Sequence, residues 1–452
     1  MKAITRFCDR MVQRYLPDAF LFAILLTIIV FILGVLFTES SPVEMVSYWG
    51  GGFWDLLAFA MQMSLIVVTG YILANTPIVK RLLSKLSTIA DTPSQAILLV
   101  TFVSSAACLI NYGFGLVVGA LFAIHVAKRV PTVDYRVLMA SAYSGFLLWH
   151  GGLSASIPLL IATPGHFLED TIGTIPVSDT LFSSFNLFIV AVLLFTLPFL
   201  NRFLMKARDP LHNTNATLWR PEEINHSIDN SEEPLGELTP AERLENSKVL
   251  SLLIGVFGLA FVVFFFIESG FDLNINIVNF IMLFLGILFH RTPRHFLNSV
   301  TSAVKNAGGI IVQFPFYAGI MGMMVTSGLS EQMSMAFVNI SNEFTFPLFA
   351  FISAGIVNFF VPSGGGQWAV QAPIMIPASL ELGVDTAKTA MAVAWGDAWT
   401  NMIQPFWALP LLAIAGLKVR DIMGFCVLIL LYSFFPIAIG LCCLKRAFRQ
   451  QS

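Results

Sequence analysis

Apolar runs of membrane-spanning length recur along almost the whole chain, and they constrain its fold more than any other feature. Runs this long can cross about 30 Å of hydrocarbon. The chain has 56% apolar and only 12% charged residues, too few charges to cover a soluble globule of 452 residues. We therefore predict an all-α polytopic membrane protein. The uninterrupted runs lie at 19–37, 54–74, 181–200, 249–267, 273–289, 306–326 and 422–444.

Four further apolar stretches are interrupted by polar residues, Gly or Pro. Residues 95–127 and 346–380 are each too long for one crossing and are broken in the middle, which is typical of re-entrant hairpins. Residues 137–163 and 389–416 have the length of one crossing but polar, Gly- or Pro-containing centres, which indicates discontinuous helices. Together with the uninterrupted runs, these stretches predict nine crossings and two re-entrant hairpins.

The positions of the cations predict an orientation. Lys and Arg are absent from most of the apolar windows and cluster between them. If the N-terminus is cytoplasmic, 21 of the 25 cations fall on the cytoplasmic side, as the enrichment of Lys and Arg in cytoplasmic loops requires. We expect a multi-pass protein of the bacterial inner membrane with a periplasmic C-terminus. The net charge of −2 does not point to a nucleic-acid partner.

Composition divides the chain into five predicted segments. Cations at every fourth position favour a short amphipathic helix on the cytoplasmic membrane surface at the N-terminus. A polar, Pro-containing stretch in the middle is typical of a cytoplasmic linker. The segments are the amphipathic helix 1–18, a first transmembrane repeat 19–201, the linker 202–248, a connecting transmembrane helix 249–267 and a second, inverted transmembrane repeat 268–452.

Short matches in the same order indicate an internal duplication. Each match alone is weak, but five in one order are not expected by chance. The matches are LGVLF (33–37) with LGILF (285–289), Gln62 with Gln313, INYGFG from Ile110 with VNFFVPSGGG from Val357, Asp134 and Gly145 with Asp385 and Gly396, and PLLIATPG (158–165) with PLLAIAG (410–416).

The surroundings of the first match predict that the two copies face opposite sides of the membrane. LGVLF runs into an acidic, cation-free loop with Glu39 and Glu44, whereas LGILF runs into Arg291 and Arg294. The connecting helix 249–267 supplies the inversion. Inverted repeats with broken helices are typical of secondary transporters, whose substrate site lies near the midplane where the breaks converge.

Polar residues at the four breaks are the candidates for such a site. Unpaired backbone or amide groups are costly in lipid, so these clusters need protein, water or ligand partners. No Lys or Arg lies inside a predicted span, so helix N-termini, glycine N–H groups and neutral side chains would hold an anion. This suits a single carboxylate better than a phosphate or tricarboxylate. The predicted substrate-binding residues are Asn111, Gly113, Ser154, Asn358, Ser363, Gly364, Gly365, Gly366, Gln367, Asn401 and Gln404.

Asp397 is predicted to couple transport to an ion gradient. An acid inside a membrane span is a functional hypothesis by default. When ionised it would repel a carboxylate substrate, so we expect a role in proton or sodium coupling, with a structural hydrogen bond as the alternative. His150, near the matching position of the other half, is interpreted as structural or water-facing. We expect no cofactor and no metal beyond a transported sodium ion, and the five cysteines show no metal-site spacing.

Long strings over nearly the whole chain resemble the bacterial short-chain fatty acid transporter family of the AtoE type, within a broader ion-transporter superfamily. The resemblance implies uptake of acetoacetate, butyrate and similar acids, an elevator-like motion and a homodimer. The chain departs from relatives at His150, where they favour Gly, and at Asp397, where they favour Glu. The matching strings are GGFWDLLAFAMQM (51–63), INYGFGLVVGALFA (110–123), AERLENSK (241–248), VQFPFYAGI (312–320), NFFVPSGGGQW (358–368) and QPFWALPLLAIAGL (404–417).

Three other functions compete with this interpretation. A di- or tricarboxylate symporter could use the same scaffold. An intramembrane enzyme could use His150, Ser154 and Asp397, but the chain has neither a nucleophile-elbow pattern nor a His-Glu-x-x-His motif, so we predict no enzymatic activity. A channel is less favoured, because sealed hairpins in inverted repeats suit alternating access better than a continuous pore.

Overall fold

The computed structural model describes residues 19–206, 239–404 and 406–443. The predicted amphipathic helix 1–18 and residues 207–238 of the predicted linker lie outside the described residues, as does the C-terminal tail from residue 444. All regular secondary structure in the described residues is helical. The chain is therefore an all-α membrane protein, and each uninterrupted apolar run forms a helix with small differences at its ends.

Ten α-helices and one 3₁₀ segment form the described part of the first half, residues 19–206. In chain order they are α1 (Ala19–Phe37), α2 (Pro42–Gly52), α3 (Leu57–Ala74), α4 (Pro77–Ser87), α5 (Pro93–Ile110), α6 (Tyr112–Arg129), α7 (Tyr135–Ser144), the 3₁₀ segment Gly145–Gly151, α8 (Ser156–Ile161), α9 (Glu169–Ile172) and α10 (Ser184–Lys206).

Eleven α-helices form the described part of the second half. They are α11 (Pro240–Glu245), α12 (Lys248–Ser269), α13 (Ile275–His290), α14 (Pro293–Val304), α15 (Gly308–Thr326), α16 (Leu329–Ile340), α17 (Phe346–Val357), α18 (Gly364–Glu381), α19 (Thr386–Thr400), α20 (Ala408–Ala415) and α21 (Val419–Cys443).

Several helices begin at a Ser or Thr that is followed by Pro. The side-chain oxygen of the capping residue accepts a backbone N–H of the first turn, and Pro fits the first helical position because it needs no partner there. Ser41, Thr92 and Thr239 form full capping boxes of this kind. In the first of them, the backbone N–H of Ser41 lowers the pKa of the Glu44 carboxyl from its ordinary value.

Helix lengths recur in the same order in the two halves. Helices α1 to α6 have 19, 11, 18, 11, 18 and 18 residues. Helices α13 to α18 have 16, 12, 19, 12, 12 and 18 residues. A broken helix and a long helix, α10 or α21, follow in each half. The lengths agree except for α5 and α17, with 18 and 12 residues. The internal duplication and the opposite orientation of the two copies in a bilayer stay predictions.

Two residue pairs singled out in the sequence have equal roles in the two halves. Asp134 and Asp385 are the N-caps of α7 and α19, and each side chain accepts a backbone N–H of the first turn. Gly145 lies against the backbone of α5, and Gly396 lies against the backbone of α17. Each glycine thus brings the broken helix of one half into close contact with the hairpin of that same half.

Helices α5 and α6 form hairpin 1, and α17 and α18 form hairpin 2. The outer ends of hairpin 1 are joined by an ion pair of 2.7 Å between Arg129 and Asp91. Its tip is the single residue Asn111, which ends α5 and begins α6, whereas the tip of hairpin 2 comprises residues 358–363. Asn111 and Asn358 are fully buried, as a re-entrant hairpin requires.

The two discontinuous helices are interrupted where the sequence indicates. The first runs through α7 and the 3₁₀ segment, breaks at residues 152–155 and resumes as α8. The second ends α19 at Thr400 and resumes as α20 at Ala408. Nine helical segments of the described chain are long and apolar enough to cross a membrane. Both arms of hairpin 1 are among them, whereas α13 and α19 are shorter.

The hairpins and broken helices form the buried centre of the protein. Helix α6 packs on α3, α18 packs on α15 and α16, and α19 packs on α17. Helices α1 and α12 bury few of their residues and present apolar side chains outward. Because lipid tails can cover such surfaces, these two helices are suited to the membrane-facing side. The centre is therefore enclosed by helices that face the bilayer.

Gly396→Ala is expected to destabilise the protein, because the added methyl group would overlap the backbone carbonyl oxygen of Phe351. Overpacking of this kind costs about 1–3 kcal/mol. Gly51→Ala is the control, since Gly51 is an exposed position of α2 whose added methyl group meets no atom within 4 Å. Thermal unfolding in detergent should show a lower midpoint for Gly396→Ala alone, and equal midpoints would contradict the close contact.

Candidate functional site

One indole ring lies against both hairpin tips. The ring centroid of Trp407 is 5.7 Å from that of Tyr112, the first residue of α6. The indole N–H of Trp407 donates to the carbonyl oxygen of Pro362, in the tip of hairpin 2, at 3.1 Å. Trp407 itself lies in the break of the second discontinuous helix. The breaks that the sequence places far apart are therefore neighbours at the centre of the protein.

At the tip of hairpin 1, protein groups already occupy the hydrogen-bonding positions. The Asn111 side-chain oxygen accepts the Phe114 N–H at 2.8 Å, and its amide donates to the Ile66 carbonyl at 3.3 Å. The Ser154 hydroxyl, in the break of the first discontinuous helix, accepts the Tyr112 N–H at 2.9 Å. The start of α6 is therefore capped from within the protein.

Glycine allows α3 to approach this tip. A methyl group on Gly113 would lie 3.1 Å from the Val67 carbonyl oxygen, and one on Gly70 would overlap the Asn111 side chain. Gly152 lies in the same way against the backbone of Leu109. Gly113 therefore serves close packing in this structure.

Asn358 joins hairpin 2 to the second discontinuous helix. Its amide nitrogen lies 3.0 Å from the Asp397 carbonyl oxygen, 3.0 Å from the Thr400 hydroxyl and 2.9 Å from the Asn401 side-chain oxygen. The two hydrogens of the Asn358 amide are therefore shared among three acceptors. The side-chain oxygen of Asn358 is buried and has no hydrogen-bond partner among the described residues. Asn358, Asn401 and Asp397 therefore form one cluster. The sequence predicted that the breaks converge but not these contacts.

The start of α18 lies against His150 and Ser156 of the first discontinuous helix. A methyl group on Gly364 would lie 2.5 Å from His150 Nε2 and 2.6 Å from Ser156 Oγ. The Ser363 hydroxyl caps the helix by accepting the Gly366 N–H at 3.4 Å. Only glycine fits at residue 364, because any side chain would displace the imidazole or the hydroxyl.

Gly365 and Gly366, the next two glycines, lie under aromatic rings of α3 and α15. A methyl group on Gly365 would lie 2.6 Å from the Phe59 ring and 3.3 Å from the Phe314 ring, and one on Gly366 would lie 2.5 Å from the Tyr317 ring. The glycine triplet is thus packed on one side by α3 and α15 and on the other by the first discontinuous helix.

His150 is fully buried and has three polar contacts. Its Nδ1 lies 2.6 Å from the Ala394 carbonyl oxygen and 3.3 Å from Asp397 Oδ2, and its Nε2 lies 2.9 Å from Ser156 Oγ. The Trp149 ring stacks on the imidazole with centroids 3.5 Å apart. The water-facing interpretation of His150 is wrong, because the long-range contact with α19 encloses its ring in protein.

Asp397 is also fully buried, and hydrogen-bond donors surround one of its oxygens. Oδ2 accepts the Asn401 side-chain N–H at 3.2 Å in addition to its contact with His150. Oδ1 has no hydrogen-bond partner within the described part of the chain. No group of three or more His, Cys, Asp or Glu residues in the described ranges is placed to hold a metal ion.

The two glutamines among the predicted site residues use their polar groups locally. The Gln367 amide donates to the Ala354 carbonyl at 2.8 Å and to the Gln371 side chain at 2.7 Å, so it links the two arms of hairpin 2. The Gln404 side-chain oxygen accepts the Phe406 N–H at 2.8 Å. Both are buried, and a substrate contact at either residue stays a prediction.

An aromatic cluster next to the tips contains three residues that the sequence did not single out, Tyr112, Phe146 and Trp149. The Tyr112 ring lies 4.8 Å from Trp149, and Phe146 lies 5.6 Å from Trp149 and 5.7 Å from Trp407. Tyr112 adjoins a predicted break, which is the signal that could have found it. Phe146 and Trp149 lie in the 3₁₀ segment Gly145–Gly151, and contacts distant in sequence bring them to the site.

Comparisons with known proteins agree on the kind of protein. A family model described as short chain fatty acid transporter matches residues 1–444. An Escherichia coli (strain K12) protein with the provisional name short-chain fatty acid transporter is 49% identical over 438 residues, which cover 97% of this chain and 98% of that protein. A Haemophilus influenzae protein with the same provisional name is 45% identical over 446 residues, with coverages of 97% and 98%.

Two solved transporters share the fold at low sequence identity. MtrF of Neisseria gonorrhoeae, described within a class of antimetabolite efflux pumps, has a TM-score of 0.54 at 15% identity, with 97% of each chain covered. The YdaH transporter of Alcanivorax borkumensis, described as having an unusual topology, has a TM-score of 0.57 at 15% identity, covering 94% of this chain and 98% of its own.

Asn358→Asp is expected to destabilise the centre, because the new carboxylate oxygen would face three acceptors and leave them without a donor. The loss is about 1–3 kcal/mol. Asn342→Asp is the isosteric control: the exposed Asn342 uses its oxygen to accept two backbone N–H groups, which an aspartate also does. A lower unfolding midpoint should appear only for Asn358→Asp, and equal midpoints would refute the donor role of Asn358.

Proposed function

The chain belongs to the short-chain fatty acid transporter family, and from this membership we propose that it is a secondary active carrier for short monocarboxylates such as butyrate and acetoacetate. It would take these acids up across the bacterial inner membrane by alternating access. The family and the relatives' names support the substrate class. The two solved transporters support the fold alone, because their identity to this chain is 15%.

The observation that carries the proposal is the start of α18 in a site without cations. The first N–H groups of a helix have no partner within the helix, and they attract anions. Residues 358–367 and 397–404 contain no Lys or Arg. At hairpin 1 the Tyr112 and Phe114 N–H groups are already bound to protein groups. We therefore assign the carboxylate to the start of α18, beside Ser363 and Gly364.

The neighbouring side chains are suited to the rest of a short acid. Tyr112, Trp149 and Trp407 offer aromatic surface next to the hairpin tips. A chain of a few carbons gains about 0.8 kcal/mol for each methylene that it buries against such a surface. A second or third carboxylate would lie against these rings without a cation partner, so the site disfavours di- and tricarboxylates.

Several finer features belong to the same proposal. Asp397 takes part in coupling transport to a proton or sodium gradient, the protein is a homodimer, and its N-terminus is cytoplasmic while its C-terminus is periplasmic. The centre of hairpins and broken helices moves as a unit against the outer helices. The direction is uptake, although the solved relative MtrF is described among efflux pumps.

A second candidate function, an intramembrane hydrolase, is favoured by one observation. Ser156, His150 and Asp397 lie in the order of a Ser-His-Asp triad, with distances of 2.9 and 3.3 Å. However, His150 Nδ1 is closer to the Ala394 carbonyl, at 2.6 Å, than to Asp397. Ser156 is fully buried and does not lie on a strand-to-helix elbow. This geometry fits a structural or proton-binding role better than nucleophilic attack.

Reconstituted protein should exchange labelled butyrate for internal butyrate faster than protein-free liposomes, and succinate and citrate should not compete. Asn111→Ala and Asn358→Ala should weaken butyrate binding by about tenfold or more, because each removes buried hydrogen bonds that hold a hairpin tip at the assigned site. Asn342→Ala, far from the hairpin tips in sequence and exposed, is the control. Wild-type affinity in both variants would refute the assigned site, and equal exchange of succinate would refute the monocarboxylate class.

The hydrolase alternative makes the opposite prediction for a chromogenic butyrate ester. We expect no hydrolysis above the rate of Ser156→Ala and no labelling of Ser156 by a fluorophosphonate. Hydrolysis that Ser156→Ala abolishes would replace the transport proposal by an enzymatic one.

A further inference from the structure

We propose that the coupling ion is a proton, that Nε2 of His150 carries it, and that Asp397 is the fixed counter-charge. This inference rests on the proposed function and deepens it. It differs from the coupling expected from the sequence, in which Asp397 itself was the coupling group and His150 had no transport role.

The contacts of the ring determine which nitrogen takes the proton. A carbonyl oxygen can only accept a hydrogen bond, so Nδ1, 2.6 Å from the Ala394 carbonyl, carries a hydrogen in every protonation state. Nε2 is then the nitrogen with a lone pair in the neutral ring. It faces Ser156 Oγ at 2.9 Å and the start of α18, which is the side assigned to the substrate carboxylate.

The Ser156 hydroxyl connects this proton to the substrate. While the imidazole is neutral, the hydroxyl donates its hydrogen to Nε2. Once Nε2 takes up a proton, the N–H donates to Ser156 Oγ and the hydroxyl hydrogen is free to turn elsewhere. Ser156 Oγ lies against Gly364 at the start of α18, and in this proposal the hydroxyl hydrogen turns to the carboxylate bound there. Protonation therefore adds a donor and a positive charge to the anion site together.

The surroundings allow a buried imidazolium. Asp397 Oδ2 lies 3.3 Å from Nδ1, close enough to be the counter-charge of an imidazolium. The Trp149 ring, with its centroid 3.5 Å from that of His150, adds attraction between cation and π-electrons. Without a proton, the site would hold two buried negative charges, Asp397 and the substrate, and no cation.

The other titratable groups facing the pair do not provide a competing charge. They are Tyr112 on α6 and Tyr143 on α7, with Cys108 on α5 and Cys426 on α21 beside Tyr143. All four side chains are neutral near pH 7 by their ordinary ionisation. A sodium ion at Asp397 would need several oxygen ligands, whereas Oδ2 accepts the Asn401 N–H and lies 3.3 Å from His150 Nδ1.

The test measures butyrate binding to the purified protein in detergent, in sodium-free buffer, by calorimetry. Working in detergent removes passive permeation of butyric acid. If only the protonated form binds, the dissociation constant should rise about tenfold for each pH unit above the ionisation of His150, with butyrate itself ionised throughout. The dependence of the binding enthalpy on buffer should show uptake of about one proton per butyrate in that range.

Three variants separate the proton site from the rest of the centre. His150→Gln should bind butyrate weakly at all pH values and take up no proton. Asp397→Asn should still take up a proton with butyrate but bind it more weakly, because the counter-charge of the imidazolium is lost. His125→Gln is the control: His125 lies on α6 with its Nδ1 2.7 Å from the Leu121 carbonyl, and the variant should match the wild type.

The outcomes distinguish this inference from the proposed function. Wild-type binding that does not depend on pH, or proton uptake that persists in His150→Gln, overturns the inference and leaves a monocarboxylate carrier. Binding that requires sodium and takes up no proton would also overturn the inference and leave a monocarboxylate carrier. Absence of butyrate and acetoacetate binding in folded wild type overturns the proposed function and this inference with it. If His150→Gln does not fold, two measurements still test the inference: the number of protons that the wild type takes up per butyrate, and butyrate binding by Asp397→Asn.

Discussion

The need to pair every polar backbone group inside a lipid-facing fold is the constraint on which this structure depends. Each break in a helix frees N–H and C=O groups, and in hydrocarbon an unpaired group costs several kcal/mol. The protein meets this cost by placing its breaks against each other. Ser154 accepts the Tyr112 N–H, Trp407 donates to Pro362, and Asn358 donates to the end of α19. The polar centre therefore results from the same requirement that makes the rest of the chain helical.

The two hairpins meet this requirement differently, although the order of helix lengths relates them. Hairpin 1 turns at a single residue, Asn111, whose side chain caps the next helix and binds α3. Hairpin 2 turns over six residues and begins α18 with three glycines, capped only by Ser363. The N-terminus of a helix attracts anions, and the proposed function assigns the carboxylate to the start of α18. We interpret hairpin 2 as the binding element and hairpin 1 as its support.

In the proposed mechanism, the positive charge that offsets the bound acid is present only while the acid is bound. A fixed Lys or Arg would remain charged when the carrier returns empty. The imidazole between Asp397 and the start of α18 is charged only with the proton, whereas Asp397 keeps its charge throughout the cycle. In the proposed mechanism the acid and the proton cross together, and the empty carrier returns with a neutral ring. The absence of Lys and Arg from residues 358–367 and 397–404 agrees with this mechanism.

The sequence by itself determined the helical class, the interrupted helices and the polarity of the centre, because these features depend on neighbours within a few residues. It also singled out Asn358, Asn401 and Asp397 as polar groups in apolar surroundings. The tertiary structure decided what these groups touch. Asp397 and His150 are 247 positions apart, and only packing of α19 on the first discontinuous helix brings them within 3.3 Å. The periodicity of a sequence does not indicate contacts between residues that are far apart in the chain. For this reason the sequence assigned no transport role to His150.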